Sequence, residues 1–196
     1  VQVFDYAMNT TTYMIETGAS EEQELPGMIA FDLAENYWTT FDTEFRGGSY
    51  ASSRQSYYAA TIVDHMVLAA SEDGTLYIMP ETDLTDVTCI ASTGTILLDM
   101  AYNAVDDTVY AVDLYGQLVC VDRLTAEVEV IGEIGVATNT LACDNDGTFY
   151  CNGFGTGAVY TFTLDTVSEP AVLIEDVGIS SKYVQSMECD PNNGLL

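Results

Sequence analysis

Residues 66–83 (MVLAASEDGTLYIMPETD) and 108–125 (TVYAVDLYGQLVCVDRLT) are two copies of one pattern and align without a gap. Val67 meets Val109, Ala69 meets Ala111, Gly74 meets Gly116 and Leu76 meets Leu118. A chain that repeats itself at such a spacing folds as an array of like units. A third copy, Thr148–Thr166, needs one inserted residue, which sets Gly157 on Gly116. A poorer first copy spans Thr12–Glu35, with Tyr13-Met14-Ile15 and Met28–Asp32 as its strands and an acidic insertion, Ala19–Leu25, between them. Each copy reads as two runs of β-formers joined at a turn.

Two further strands flank each pair. Leu98–Tyr102, Thr140–Cys143 and Gln185–Cys189 precede it, each followed by an Asp/Asn-rich turn such as Asp144-Asn145-Asp146-Gly147. Those residues suit turns because they tolerate positive φ and cap the turn with their own side chains. Trp38–Phe41, Val87–Ala91, Val128–Gly132 and Ala171–Ile174 follow it. Four short antiparallel strands recurring every roughly 40–50 residues is the pattern of a propeller blade. No stretch sustains a helical period, which excludes alternating βαβ units, and an immunoglobulin-like sandwich does not repeat internally.

The expected fold is therefore all-β: a β-propeller of about four four-stranded antiparallel blades plus one strand of a fifth. The blades are placed at 1–48, 57–95, 96–136 and 137–181, with a partial one at 182–196. The pattern stops at Leu195-Leu196, inside a repeat, so a fragment of a larger ring is expected. A four-bladed ring closed by an overlapping terminal strand is the alternative. In the first case the partner would be the remaining blades or another chain, since open edges invite pairing. The sequence begins at Val1 without Met or a leader, and a processed chain or an excised segment is expected.

Charge narrows the partners. The chain has 31 Asp+Glu against 4 Lys+Arg, a net charge of −27. Nucleic acid is excluded, because phosphate contacts need clustered Lys and Arg. An anionic membrane surface is excluded for the same reason, and no apolar run approaches the length of a membrane span. The five cysteines, Cys89, Cys120, Cys143, Cys151 and Cys189, form no CxxC pair and are read as small buried thiols on strands.

The run Thr108–Ala126 resembles the repeat of quinoprotein (PQQ)-like propellers. Val109-Tyr110-Ala111, Gly116, Leu118, Asp122 and Thr125 match that repeat. Ala126 stands where the family has Gly, and the family's following Trp is absent. The resemblance implies the propeller fold. The quinoprotein dehydrogenases use a vicinal disulfide at their cofactor, and no adjacent cysteines occur here, so no cofactor is expected. Non-catalytic relatives serve as interaction platforms.

Tyr50, Arg54, Tyr57 and Tyr58, beside Arg46-Gly47-Gly48, form a Tyr/Arg cluster before a strand that would suit a protein or glycan ligand. Tyr77, Tyr110, Tyr150 and Tyr160 are expected in the core. Asp144 and Asp146 have the spacing of a small Ca²⁺ loop but lack a distal Glu, and a hairpin turn is the plainer reading. Ser71–Thr75 is similar to the Asp-box turn of sialidase propellers but lacks its Trp. His65 is the single histidine, in a turn, with no partner set for nucleophilic chemistry. Asn9-Thr10-Thr11 fits a glycosylation acceptor. The expected function is a non-enzymatic binding scaffold in a secreted or cell-surface bacterial protein. The alternative is part of a propeller enzyme, such as a glycan lyase, hydrolase or quinoprotein, with its catalytic residues in further blades.

Overall fold

The structure is a computed structural model that describes residues 2–6, 11–15, 28–32, 37–40, 57–83, 86–176 and 186–189. These residues are all-β, with one 3₁₀ turn at Leu164–Thr166. The strands are β1 (Gln2–Tyr6), β2 (Thr11–Ile15), β3 (Met28–Asp32), β4 (Tyr37–Thr40), β5 (Tyr57–Val63), β6 (Met66–Ser71), β7 (Thr75–Pro80) and β8 (Thr88–Ser92). They continue as β9 (Leu97–Asn103), β10 (Thr108–Asp113), β11 (Gln117–Val121), β12 (Val128–Glu133), β13 (Ala142–Cys143), β14 (Phe149–Asn152), β15 (Ala158–Phe162) and β16 (Val172–Asp176). They form four four-stranded antiparallel sheets, each a meander of consecutive strands: β1–β4, β5–β8, β9–β12 and β13–β16.

The repeat is visible in the backbone as well as the sequence. β5 and β9 share one burial pattern, and so do β6 and β10. Their pairing carries a bulge at the same place, which leaves Tyr58 and Leu98 as the extra residues. In sheets two, three and four the pairing of the third and fourth strands also shifts at one matching step. A register that recurs this closely is set by the side-chain pattern, since a one-residue slip would turn every core residue outward.

Burial falls from the first strand of a sheet to the last. β5 and β9 are almost wholly buried, whereas β8 and β12 are mostly exposed. The reason is packing: β9 lies against both β5 and β13, and β1 lies against β5. First strands thus face neighbours on both sides, and last strands face solvent. The cores sit between sheets. One joins Leu68 and Leu76 of sheet two to Leu97, Met100 and Val121 of sheet three. The next joins Tyr110 and Leu118 to Leu141, Phe149 and Phe162, with Tyr110 edge-on to Phe149 at 5.2 Å and Phe149 stacked on Phe162 at 5.4 Å. Tyr110 is therefore core, while Tyr77, Tyr150 and Tyr160 are half-buried at its margin. The described residues show no closed ring.

Two local expectations change. The positive-φ glycine in the last hairpin is Gly155, not Gly157. In sheets two and three Gly74 and Gly116 end their turns by donating to Ser71 O and Asp113 O, whereas Thr156 donates to Gly153 O and leaves Gly155 inside the turn. The inserted residue altered the turn type. Residues 186–189, expected in a strand, lie outside any sheet. Ser186 and Met187 instead bond to Asp99, and their expected sheet partner, Leu195-Leu196, lies outside the described residues.

Candidate functional site

Because each sheet is a meander, its turns fall at two ends. The β6–β7, β10–β11 and β14–β15 turns lie at one end, together with the β8–β9 and β12–β13 connections between sheets. The β5–β6, β9–β10 and β13–β14 turns lie at the other.

At the first end a cleft of about 380 Å³ opens between sheets three and four. Its rim is Leu114 and Tyr115 from the β10–β11 turn and Phe154 from the β14–β15 turn; Leu98, Ala137 and Asn139 complete it. Tyr115 is 78% exposed, and Leu114 and Phe154 are each 53% exposed. The backbone that carries these side chains is held in place. Buried Asp113 accepts from the amides of Tyr115 and Gln117, both at 2.9 Å. The Leu114 amide donates to Ile96 O at 2.9 Å, and the Phe154 amide donates to Ala137 O at 2.7 Å. Each turn is thereby fastened to the connection that enters its own sheet. Among the described residues none that lines the cleft is charged.

Beside Leu98 on β9 lies Asp99, fully buried. Its carboxylate accepts from the amides of Met100 at 3.1 Å, Leu141 at 2.9 Å and Met187 at 3.3 Å, and from the Ser186 hydroxyl at 3.2 Å. Met100, Leu141 and Met187 occupy one position in three successive repeats. One carboxylate thus pins three of them together. Burial pushes its pKa well above the carboxylate range; the Leu141 amide opposes this, and nearby Glu188 adds to it.

The opposite end is acidic. Asp64, Asp106, Asp107, Asp122 and Asp146 are exposed there, although Val105 and Leu124 are exposed among them. Arg123, the single Lys or Arg among the described residues, donates to Asp107 at 3.0 Å and meets Asp64 of the preceding sheet at 3.5 Å. Hydrogen bonds from the Tyr102 hydroxyl and from Arg123 hold Asp107 below its usual pKa. The Tyr110 hydroxyl donates to Asp106 and that of Tyr150 to Asp144, at 2.8 and 2.9 Å. Burial and its carboxylate partner push the Tyr150 phenol up to about 12.

The structure disperses the residues singled out in sequence. Tyr50 and Arg54 lie outside the described residues. Tyr57 begins β5 and is 1% exposed, edge-on to Tyr77 at 5.7 Å, so its ring is core and not ligand-facing. Tyr58 is the half-buried bulge residue beside it. One Asp144 oxygen caps its own turn, accepting from the amides of Asp146 and Thr148, and the other takes the Tyr150 hydroxyl. Among the described residues no three His, Cys, Asp or Glu group as a metal site would require. His65 sits at φ 62° in its turn and pairs with Glu81 at 2.8 Å. The five cysteines are free; Cys143, Cys151 and Cys189 are buried, Cys120 half-buried and Cys89 exposed. The cleft has a signal in the sequence. Asp113-Leu114-Tyr115-Gly116 places two large apolar residues in a hairpin turn where polar ones are usual.

No family model matches the chain, so the quinoprotein-like resemblance of Thr108–Ala126 has no counterpart there. No curated protein matches it either. Solved structures do. One is a structural genomics protein of unknown function from Bacteroides thetaiotaomicron, at TM-score 0.68 and 13% identity, covering 96% of this chain and 54% of that one. Another is PorZ, an essential bacterial surface component of the type-IX secretion system of Porphyromonas gingivalis, at TM-score 0.50 and 15% identity, covering 79% of this chain and 18% of that one. The chain spans about half the length of the first. At these identities the likeness is one of fold.

Proposed function

We propose that the chain is a run of propeller blades serving as a non-enzymatic interaction scaffold in a secreted or cell-surface bacterial protein, and that it binds through the cleft end. The observation that carries this is the exposed Leu114, Tyr115 and Phe154 rim on a hydrogen-bonded backbone, with no charge among the described residues that line the cleft. Rigid turns bearing exposed aromatic residues on a fixed scaffold are a common basis for recognition. The blade reading is supported by the recurring four-stranded unit, the packing of first strands on one another and the quinoprotein-like repeat. The surface reading is supported by the fold shared with PorZ, whose description places that protein at the bacterial surface. Among the described residues no helix is long and apolar enough to cross a membrane.

Nuclear magnetic resonance titration with indole, a neutral aromatic probe, tests the assignment of the binding end. Shifts confined to Leu98, Leu114, Tyr115 and Phe154 are expected. Shifts centred on Asp64–His65, Asp106–Asp107 or Asp144–Asp146 would overturn it.

A further inference from the structure

Several backbone hydrogen-bonding groups at the cleft are used by the fold itself. The Leu114 amide is given to Ile96 O, the Tyr115 amide to Asp113, the Gly116 amide to Asp113 O and the Phe154 amide to Ala137 O. Gly116 O accepts from the Ile134 amide, and the Thr138 hydroxyl donates to Thr140 O. A sugar needs many such groups, because each hydroxyl it buries must be satisfied again on binding. An apolar side chain needs none and gains from the Tyr115 and Phe154 rings. The cleft thus favours an apolar side chain over a glycan.

The neighbouring turn at the same end adds charge. In sheet two the position matching Leu114-Tyr115 is Glu72-Asp73, both exposed. Gly74 O of that turn accepts from the Thr93 amide and hydroxyl, both at 2.8 Å, which fastens it to the connection leading into β9 and so toward Leu98. Asp73 is fixed by the Ser71 hydroxyl at 2.6 Å and the Thr75 amide at 3.1 Å, and the Ser71 bond lowers its pKa, so it stays ionised. A ligand in the cleft therefore has a carboxylate pair one sheet away and an overall charge of −27 behind it. Acidic ligands are repelled and basic ones attracted.

We infer that the cleft takes one large apolar side chain of a polypeptide segment whose flanking residues are lysine or arginine, with those cations over Glu72 and Asp73. This rests on the cleft being the binding end. It adds the partner's chemistry: a basic, apolar-centred peptide strand and not a neutral glycan.

The test titrates the whole chain, by nuclear magnetic resonance, with three probes: the peptide Gly-Lys-Phe-Lys-Gly, its analogue with Glu in place of Lys, and chitotriose. The lysyl peptide should shift Leu98, Leu114 and Phe154, binding about tenfold more tightly than the glutamyl peptide at low salt, with the gap closing near 0.5 M salt. The Tyr115→Ser/Phe154→Ser double variant, with an unchanged circular dichroism melt, should lose about tenfold of the lysyl peptide's affinity. Glu72→Gln should narrow the gap between the peptides and leave the cleft shifts in place. Equal binding of the two peptides at low salt would sink the charge assignment. Chitotriose shifting the cleft while the lysyl peptide does not would overturn the partner class yet leave the binding end standing. Silence from all three probes would remove both.

Discussion

The two ends of the sheets are made from different turns of the same repeat, and they carry different materials. At the cleft end Leu114, Tyr115 and Phe154 stand exposed over a fixed backbone, and a buried carboxylate, Asp99, lies close beneath. At the far end exposed aspartates cap their own turns, as Asp122 does for the amides of Leu124 and Thr125, and share a single arginine. The repeat constrains where turns fall and which strands meet. It leaves the turn residues themselves open, and function can be written there without disturbing the core.

Four measurements sharpen or break this contrast. The largest effect is expected from Asp99→Ala. It strands the buried amides of Met100 and Leu141 and the half-buried amide of Met187, at a combined cost of about 3–5 kcal/mol. Chemical denaturation measures it, and a loss under about 1 kcal/mol would mean the pin is not holding the repeats together.

Next come the turn glycines. Gly74→Ala should cost about 2–4 kcal/mol, because a Cβ there collides with Thr95 O in addition to sitting at φ 77°. Gly116→Ala meets open space and faces only its φ of 78°, so about 1 kcal/mol is expected. Equal melting shifts for the two would remove the tight seam between the β6–β7 turn and its sheet connection.

The buried carboxylate and the exposed ones should also respond oppositely to pH. Asp99 has its folded pKa raised above 3.8, so its contribution is full below that value and is lost as pH rises through the raised value. Asp107 and Asp122 have theirs lowered, by the Tyr102 hydroxyl and by the Leu124 amide respectively. Their contribution is full above 3.8 and is lost as pH falls through the lowered values. Asp73, at the cleft end, follows the same sign as Asp107. The melting difference between the native chain and Asp99→Asn should therefore be greatest in acid and shrink toward neutrality. A difference that grows with pH contradicts the raised value.

The smallest effect is expected from Arg123→Ala. Its partners Asp107 and Asp64 are exposed, so a slight fall in melting temperature is expected, and it should shrink in molar salt. A large, salt-independent fall would show that the acidic end is structural and not merely solvated.

Much of the strand pattern was legible because strand residues answer to their immediate neighbours. Met28–Asp32 falls where the alternation places it, and Val128 begins β12 as read from sequence. Tyr57 was misplaced because its ring looked like part of a polar Tyr/Arg cluster, and only packing against Tyr77 puts it in the core. Gly155 replaced Gly157 because one inserted residue changes which turn type closes the hairpin, a choice made by backbone hydrogen bonds. Asp99 gave no local sign. Its donors at Leu141 and Met187 are brought to it by the folding of separate repeats.

The sequence by itself determined the repeated four-stranded unit, the sites of its turns and the surplus of acid, since each follows from residue type and spacing along the chain. The tertiary structure decided which turns share an end, how a rim from two sheets encloses a cleft, and that one carboxylate joins three repeats. Those depend on how sheets distant in sequence pack, and packing is a property of the assembled chain.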